Sequence, residues 1–339
     1  MAFRPIRPSR AGSKLAFIAL VGLAIAAGPG CKRKSGQPRI AVIPKGTTHE
    51  FWKAVHAGAV KASREQGVEI VWKGPLKEDD LKQQIDLVQS FTAQGVSGIV
   101  LAPLSDKALV GAVKGAVDTK IPVVIFDSDL AGQAHSSFVA TDNFAAGKLG
   151  GEHLAKLLAG KADAKVVLLR YQEGSASTAN REAGFLAAMK GHPELKVVSD
   201  NQYGGATTES AHKVSESILS AQGAASGGVD GVFTPNESTT FGMLRALEAE
   251  NLAGKVRFVG FDASDKLVAA LESGKMDALV LQDPFNIGYL SVKTMAAHLR
   301  GEKIEKRIDT GAKLVTKANM GEPAIKELLH PDLERWIGK

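Results

Sequence analysis

Apolar and polar positions alternate along this chain in short and long segments. The short ones, at residues 40–43, 68–72, 98–101, 122–126 and 137–141, are rich in Val, Ile, Leu and Phe with few polar breaks. The same kind of run returns at 165–169, 196–199, 231–234, 256–261 and 278–281. Unbroken apolar runs of this length predict strands of a parallel sheet buried on both faces. Between them lie longer segments with apolar residues at helical spacing, such as Phe51, Val55, Ala59 and Ala62 in 51–66, and Leu81, Ile85, Val88 and Phe91 in 79–94. Further helices are predicted at 145–159, 179–190, 208–221, 238–248, 265–273 and 287–300, and Asp106 is expected to cap the helix after the third strand. Residues 223–228, small and uncharged, read as a surface loop. Regular β–α alternation predicts an α/β protein of two doubly wound parallel-sheet lobes.

Two strands end alike. Pro122-Val-Val-Ile-Phe stops at Asp127-Ser128-Asp129, and Phe258-Val-Gly-Phe stops at Asp262-Ala-Ser-Asp265. Carboxylates at the carboxyl ends of parallel strands lie where open α/β sheets bind ligands, so the two lobes are expected to face one cleft.

Composition changes this picture mainly at the start of the chain. The 339 residues suffice for two domains, and 44% hydrophobic with 23% charged residues suits a globular protein. Arg4, Arg7, Arg10 and Lys14 precede a compact apolar run at 15–27 and then Gly28-Pro-Gly-Cys31, the pattern of a secretory signal rather than a membrane span. Cys31 is the sole cysteine, which excludes an intramolecular disulfide. Removing the four leader cations from the formal +6 leaves a net +2, and no basic run is interleaved with aromatics, so a nucleic-acid partner is not expected.

The strand ends collect polar and aromatic residues: Thr48 and His49 with Phe51 and Trp52, Asp127 and Ser128, Asn180 and Arg181, Tyr203, Asn236, Asp262 and Gln282. Carboxylates, amides and a guanidinium suit a polyhydroxyl ligand, whose hydroxyls both donate and accept, and aromatic faces suit the C–H face of a sugar ring. Plainer roles are open to the same residues. Asp127 and Asp262 would serve as helix N-caps, Asn236 as a turn residue, Arg181 as a surface ion-pair partner and His49 as a solvated loop residue. No Gly-x-Ser-x-Gly elbow, P-loop, dinucleotide glycine motif or His-Glu-x-x-His is present, and the eight histidines lack metal-ligand spacing. Asp127 and Asp129, two residues apart, do not read as a glycosidase pair. Neither a catalytic residue, a cofactor nor a metal is expected.

In order along residues 39–317, several segments resemble periplasmic sugar-binding proteins of the ribose-binding type, the receptors of ABC importers. They are Phe51-Trp52 with Ala57-Gly58-Ala59, the strand ending in Asp127, Ala140-Thr-Asp142-Asn143, Ala179-Asn-Arg181-Glu-Ala-Gly-Phe185, Val232-Phe-Thr-Pro-Asn236, Val259-Gly-Phe-Asp262 and Leu281-Gln282-Asp-Pro. The resemblance implies a type I periplasmic binding protein fold, with lobes at 38–140 plus 283–312 and at 141–282 plus 313–339, joined by three crossings. It implies ligand contacts from His49, Phe51, Trp52, Asp127, Ser128, Arg181, Tyr203, Asn236, Asp262 and Gln282. It also implies a monosaccharide or polyol ligand, an inner-membrane permease as partner, and a monomeric receptor outside the cytoplasm. Cys31 resembles the acylated cysteine of bacterial lipoproteins, with 32–38 as a tether, although Gly28 stands where the lipobox has Leu. His49 replaces the family's Asn and Ser128 its Arg, so the sugar is left unnamed. A receptor feeding a chemoreceptor or sensor kinase, a repressor-type ligand domain and a hydrolase are the competing readings.

Overall fold

The structure, a computed structural model, describes residues 36–338. The leader, Cys31 and most of the 32–38 tether lie outside the described residues. Strands β1 (Arg39–Ile43), β2 (Glu69–Trp72), β3 (Gly98–Leu101), β4 (Val123–Phe126), β5 (Ser137–Ala140) and β11 (Arg307–Asp309) form one sheet in the order β11-β5-β4-β3-β1-β2. Every pairing in it is parallel. The second sheet follows the order β12-β10-β9-β8-β6-β7. Its strands are β6 (Ala164–Arg170), β7 (Leu195–Tyr203), β8 (Gly231–Phe233), β9 (Arg257–Phe261), β10 (Ala278–Leu281) and β12 (Lys313–Thr316), the last antiparallel to β10.

Helices cover both faces of each sheet, which is why the strands read as apolar without alternation. In the first lobe, α1 (Glu50–Gln66) and α9 (Pro284–Leu299) bury Val55, Ala59, Ile287 and Met295 on one face. On the other face, α2 (Leu81–Ala93) and α3 (Val110–Asp118) bury Val88, Phe91 and Val113. In the second lobe, α4 (Asn143–Leu157) and α5 (Ala176–Lys190) cover one face. The other face carries α6 (Thr208–Ala221), α7 (Glu237–Ala249), α8 (Asp265–Glu272) and α10 (Pro323–Leu329).

Three details differ from expectation. The turn before α3 is held by Ser105, whose Oγ accepts from the Ala108 N–H at 3.1 Å, and Asp106 instead donates its own N–H to Gly174 O across the lobes. Residues 223–228 are not a plain surface loop: Ala224–Ser226 form a 3₁₀ turn that buries Ala224 in the second-lobe core. Past α10 the chain returns to the first lobe, where α11 (Glu334–Ile337) lies on α1, Trp336 O accepts from Arg64 and the Trp336 ring meets Phe285 at 6.3 Å. Neither α10, α11 nor the two short strands β11 and β12 carried a strong apolar run.

The chain crosses between lobes at β5–α4, β10–α9 and β11–β12. Two of these crossings are tied together: Thr141 Oγ1 donates to Gly311 O at 3.2 Å, and the Asp142 N–H donates to Asp309 at 2.9 Å. In each lobe a helix pair nearest the crossings interlocks through glycines. A Cβ on Gly58 would stand 1.9 Å from Phe285 O and one on Gly288 1.9 Å from Val55 O, while one on Gly147 would meet Arg181 O at 1.9 Å and one on Gly184 Phe144 O at 2.1 Å. Backbones this close leave no room for a methyl group. Gly184→Ala is therefore expected to cost about 1–3 kcal/mol of stability by forcing α5 off α4. Urea unfolding followed by circular dichroism would measure the loss, and an unchanged midpoint would mean the helices can part freely.

Candidate functional site

Asp127 and Asp262 are the counterpart residues of the two lobes, and their backbones show how the site is built. Each follows the last residue of a buried central strand, and each adopts a left-handed conformation, with φ of 60° at Asp127 and 65° at Asp262. Aspartate tolerates that region better than most side chains. Each N–H still reaches a neighbouring strand, Asp127 to Val139 O and Asp262 to Val280 O, both at 3.0 Å. The chain thus stays tied to the sheet while reversing its hand, and the carboxylates end among the residues that line the interlobe cleft, both buried. Asp262 does not cap α8, whose N-cap is Ser264. Its Oδ2 accepts from the first N–H of α7 at Glu237 (3.2 Å), and its Oδ1 from Gln282 Nε2 (2.8 Å).

Arg181 is not a surface ion-pair residue. It is buried beneath the cleft, its plane 4.0 Å from the Phe261 ring centre. Nε donates to Asn143 Oδ1 at 2.8 Å, Nη1 donates to Pro235 O at 2.9 Å, and Asp262 lies 3.9 Å away. Asn143, at the first crossing, also donates to Asp127 O. One amide therefore couples the guanidinium of one lobe to the strand end of the other. Asn236 caps α7 and lines the cleft together with Phe51, Trp52 and Gln282. Ser128 is buried and accepts from the Ser177 N–H across the lobes, while Asp129 turns outward toward Arg307.

Tyr203 is not brought into this cluster. It ends β7, 40% exposed and beside the Arg170 guanidinium. The buried aromatic at that end of the second sheet is Tyr171, the residue after β6.

Six residues that the strand ends did not single out complete the cleft: Lys45, Glu78, Tyr171, Ser177, Thr178 and Glu237. Lys45 Nζ donates to Ser175 and Ser177 of the second lobe at 3.1 and 3.0 Å and lies 3.2 Å from Asp127. Glu78 accepts from Trp52 Nε1 (2.7 Å) and Tyr171 Oη (2.7 Å) and pairs with His49 Nδ1 (2.6 Å). Glu237 accepts from the first N–H groups of α1, Phe51 at 3.2 Å and Glu50 at 3.4 Å. Lys45 and Tyr171 follow β1 and β6 closely and were open to the same strand-end reading. Glu78 had no signal, because an eight-residue loop after α1 and β2 carries it back to the cleft.

The lobes meet closely enough that about 30 Å³ remains between them, lined by three basic and four acidic side chains. Burial would lower the His49 imidazolium, but Glu78, with Glu237 and Asp262 behind it, holds it at about 9. Burial would likewise raise Glu78, yet His49, Lys45 and the Trp52 N–H keep it at about 2. For Glu237 burial wins, assisted by Asp262, and its carboxyl is pushed up to about 7. Burial also raises Asp262 against the pull of Arg181. Among the described residues, two buried atoms in the cleft have no hydrogen-bond partner: Arg181 Nη2, a donor, and Gln282 Oε1, an acceptor. Buried polar atoms are seldom left unpaired, so these two are open to a further partner. Among the described residues no cluster of His, Cys, Asp or Glu is arranged to hold a metal ion, and no helix is long and apolar enough to cross a membrane.

Two parallel-sheet α/β lobes closing a charged cleft around paired strand-end aspartates define a solute-receptor architecture of the hinged type. Residues 40–303 match the family described as periplasmic binding protein domain, and the chain belongs to that family. Over 298 residues it is 31% identical to the ribose import binding protein RbsB of Haemophilus influenzae, covering 88% of this chain and 96% of that one. A carbohydrate transporter solute-binding protein from Agrobacterium radiobacter, solved in complex with D-arabinose, superposes with a TM-score of 0.83 at 35% identity, covering 87% of this chain and all of that one. A solute-binding protein from Agrobacterium vitis with bound D-fucose gives 0.82 at 34%, over 86% of this chain and all of that one.

The two titrations have the same sign. His49, raised from 6.5 to about 9, contributes stability that is complete below pH 6.5 and is lost as pH rises through 9. Glu237, raised from 4.5 to about 7, binds more protons folded than unfolded in that range, so stability falls as pH rises from 4.5 through 7. Thermal melts should thus show a decline across both windows. His49→Gln should flatten the upper one, worth on the order of 3 kcal/mol, and Glu237→Gln the lower. A wild-type melting temperature constant across both windows would contradict the pairing.

Proposed function

We propose that this protein is the extracytoplasmic receptor of an ABC importer and binds a monosaccharide or related polyol between its lobes. The observation that carries this is the unpartnered pair at the base of the cleft, Arg181 Nη2 and Gln282 Oε1. One offers a donor and the other an acceptor, on either side of Asp262, as the hydroxyls of a sugar require, and the lobes would part from this tightly closed form to admit a ring. Phe51 and Trp52, edge to face with centroids 4.9 Å apart, supply the apolar wall. Asp127, Ser128, His49 and Asn236 complete the proposed contact set. Tyr203 would join it only through a movement of β7, and Tyr171 takes the aromatic position in the closed form.

Capture follows from the division of these groups between lobes. Lys45, Glu78 and the start of α1 belong to one lobe, and Ser175, Ser177, Tyr171 and Glu237 to the other, so their bonds form only on closure. A ligand that bonds Arg181 and Gln282 while resting on Phe51 touches both lobes at once and favours the closed form by that differential contact. The closed receptor would be the form that docks a permease, as a monomer held at the membrane by an acyl chain on Cys31. Ser128 follows Asp127 and His49 pairs with Glu78 in the same cleft, so these departures change its donors and acceptors and ribose is not assumed as the ligand.

Arg181→Ala and Asp262→Asn should each weaken sugar binding by about 2–4 kcal/mol, because each strands buried polar partners. Calorimetry on the ligand found by a thermal-shift screen of pentoses, hexoses and cyclitols is the measurement, and unchanged affinity in both variants would remove the site assignment. Cys31→Ser should shift the protein from the membrane to the soluble fraction. A wild type already soluble after fractionation would defeat the anchor.

A further inference from the structure

Beside the narrow cleft, on the side of the β10–α9 crossing, lies a much larger cavity of about 350 Å³. It adjoins the cleft, with Phe51, Asp262 and Gln282 in the lining of both. Its remaining wall comes from the start of α1, the turn between β9 and α8, and a roof formed by residues 328–334. That roof lies beyond residues 40–303, the span matched by the family, and is the segment that carries the chain from α10 back to α11.

The lining is chemically one-sided. Ala54, Leu281, Pro284, Leu328 and Leu333 give it apolar surface, and Glu50, Asp262, Asp265, Asp332 and Glu334 give it carboxylates. Among the described residues that line it there is no Lys or Arg, and His330 is its one histidine. Glu50 is partly offset by Lys53 at 2.7 Å, and Asp332 accepts from the Arg335 N–H at 3.2 Å. Gln282, 3% exposed and in the lining of both cavities, gives its Nε2 to Asp262 and leaves Oε1 unpartnered. The buried, unpaired acceptor points to a ligand against this shared lining, independently of the acidic residues.

We propose that this cavity is a second subsite that takes a positively charged substituent on the bound sugar, so that the ligand class extends from free monosaccharides to amine-bearing glycosides. The inference rests on the sugar-receptor reading of the cleft. A glycoside ring held at Arg181, Asp262 and Gln282 would place its substituent past Phe51 into a space of the size that small-molecule sites commonly occupy, about 300–1,000 Å³. An ammonium group there meets carboxylates beside apolar surface, whereas a carboxylate or phosphate substituent is repelled.

The test is calorimetry on the full chain with three probes made from whichever free monosaccharide binds tightest: the sugar itself, its 2-aminoethyl glycosides and its carboxymethyl glycosides, in both anomers. One 2-aminoethyl anomer is expected to bind at least tenfold tighter than the carboxymethyl one and no weaker than the free sugar, with the preference shrinking as salt is added. Asp265 and Asp332 are exposed and outside the proposed sugar contacts. The double variant Asp265→Asn/Asp332→Asn should reduce the charge preference at least threefold and leave the free sugar within twofold. Ser264 makes no side-chain cap bond, so Ser264→Trp should fill the cavity, weaken the 2-aminoethyl glycoside tenfold and spare the free sugar. Free sugar bound while both glycosides lose affinity alike would overturn the subsite and leave the receptor reading intact. Binding of none of the probes or sugars would overturn both.

Discussion

A reversal of backbone hand at the end of a buried strand is the constraint on which the rest of this molecule depends. Asp127 and Asp262 each leave the sheet with φ near +60° while their N–H groups remain bonded to the next strand. A carboxylate at such a point has little freedom, since its strand is buried on both faces and its backbone is tied on both sides. The cost of burying it is met by partners that must themselves be placed: Lys45 for Asp127, and Arg181, Gln282 and the α7 N-terminus for Asp262. Arg181 is held in turn by the glycine-interlocked pair α4 and α5, where backbone meets backbone at distances that exclude a Cβ.

Closure extends the same logic across the cleft. Glu78 collects Trp52 and His49 from its own lobe and Tyr171 from the other, and Glu237 seats on the exposed N–H groups of α1. These contacts satisfy charges that would be costly to bury alone. They leave Arg181 Nη2 and Gln282 Oε1 as the atoms whose pairing depends on something else. The cleft's own groups thus saturate one another nearly everywhere, and the proposed recognition rests on the two that do not.

The fold was largely legible in the residue pattern, because the feature that defines it is a local one. Strands such as Val123–Phe126 and Ala278–Leu281 carry no polar interruption, and helices such as Glu50–Gln66 carry a clear apolar stripe. The elements that escaped were those stabilised by position. Arg307–Asp309 and Lys313–Thr316 are short edge strands with exposed residues, and Glu334–Ile337 buries none of its residues fully. Ala224–Ser226 turns inward because its alanine meets the core, which no local rule conveys.

For the cleft, the residue pattern by itself determined the strand-end positions: Asp127 and Asp262 stand directly after buried runs, Asn236 follows one within three residues, and Arg181 lies on the helix that follows one. It also determined that two similar halves face one another, since both end a strand in the same way. What the tertiary structure decided is which side chains reach that place from elsewhere. Glu78 arrives on a loop, Tyr171 occupies the position expected of Tyr203, and the segment 328–334 roofs a second cavity from the far end of the chain. Hydrophobic periodicity records which face of an element is buried against its own sheet. It carries no record of a polar side chain whose partners belong to the opposite lobe, because those partners are neighbours only after the chain has crossed between lobes and closed.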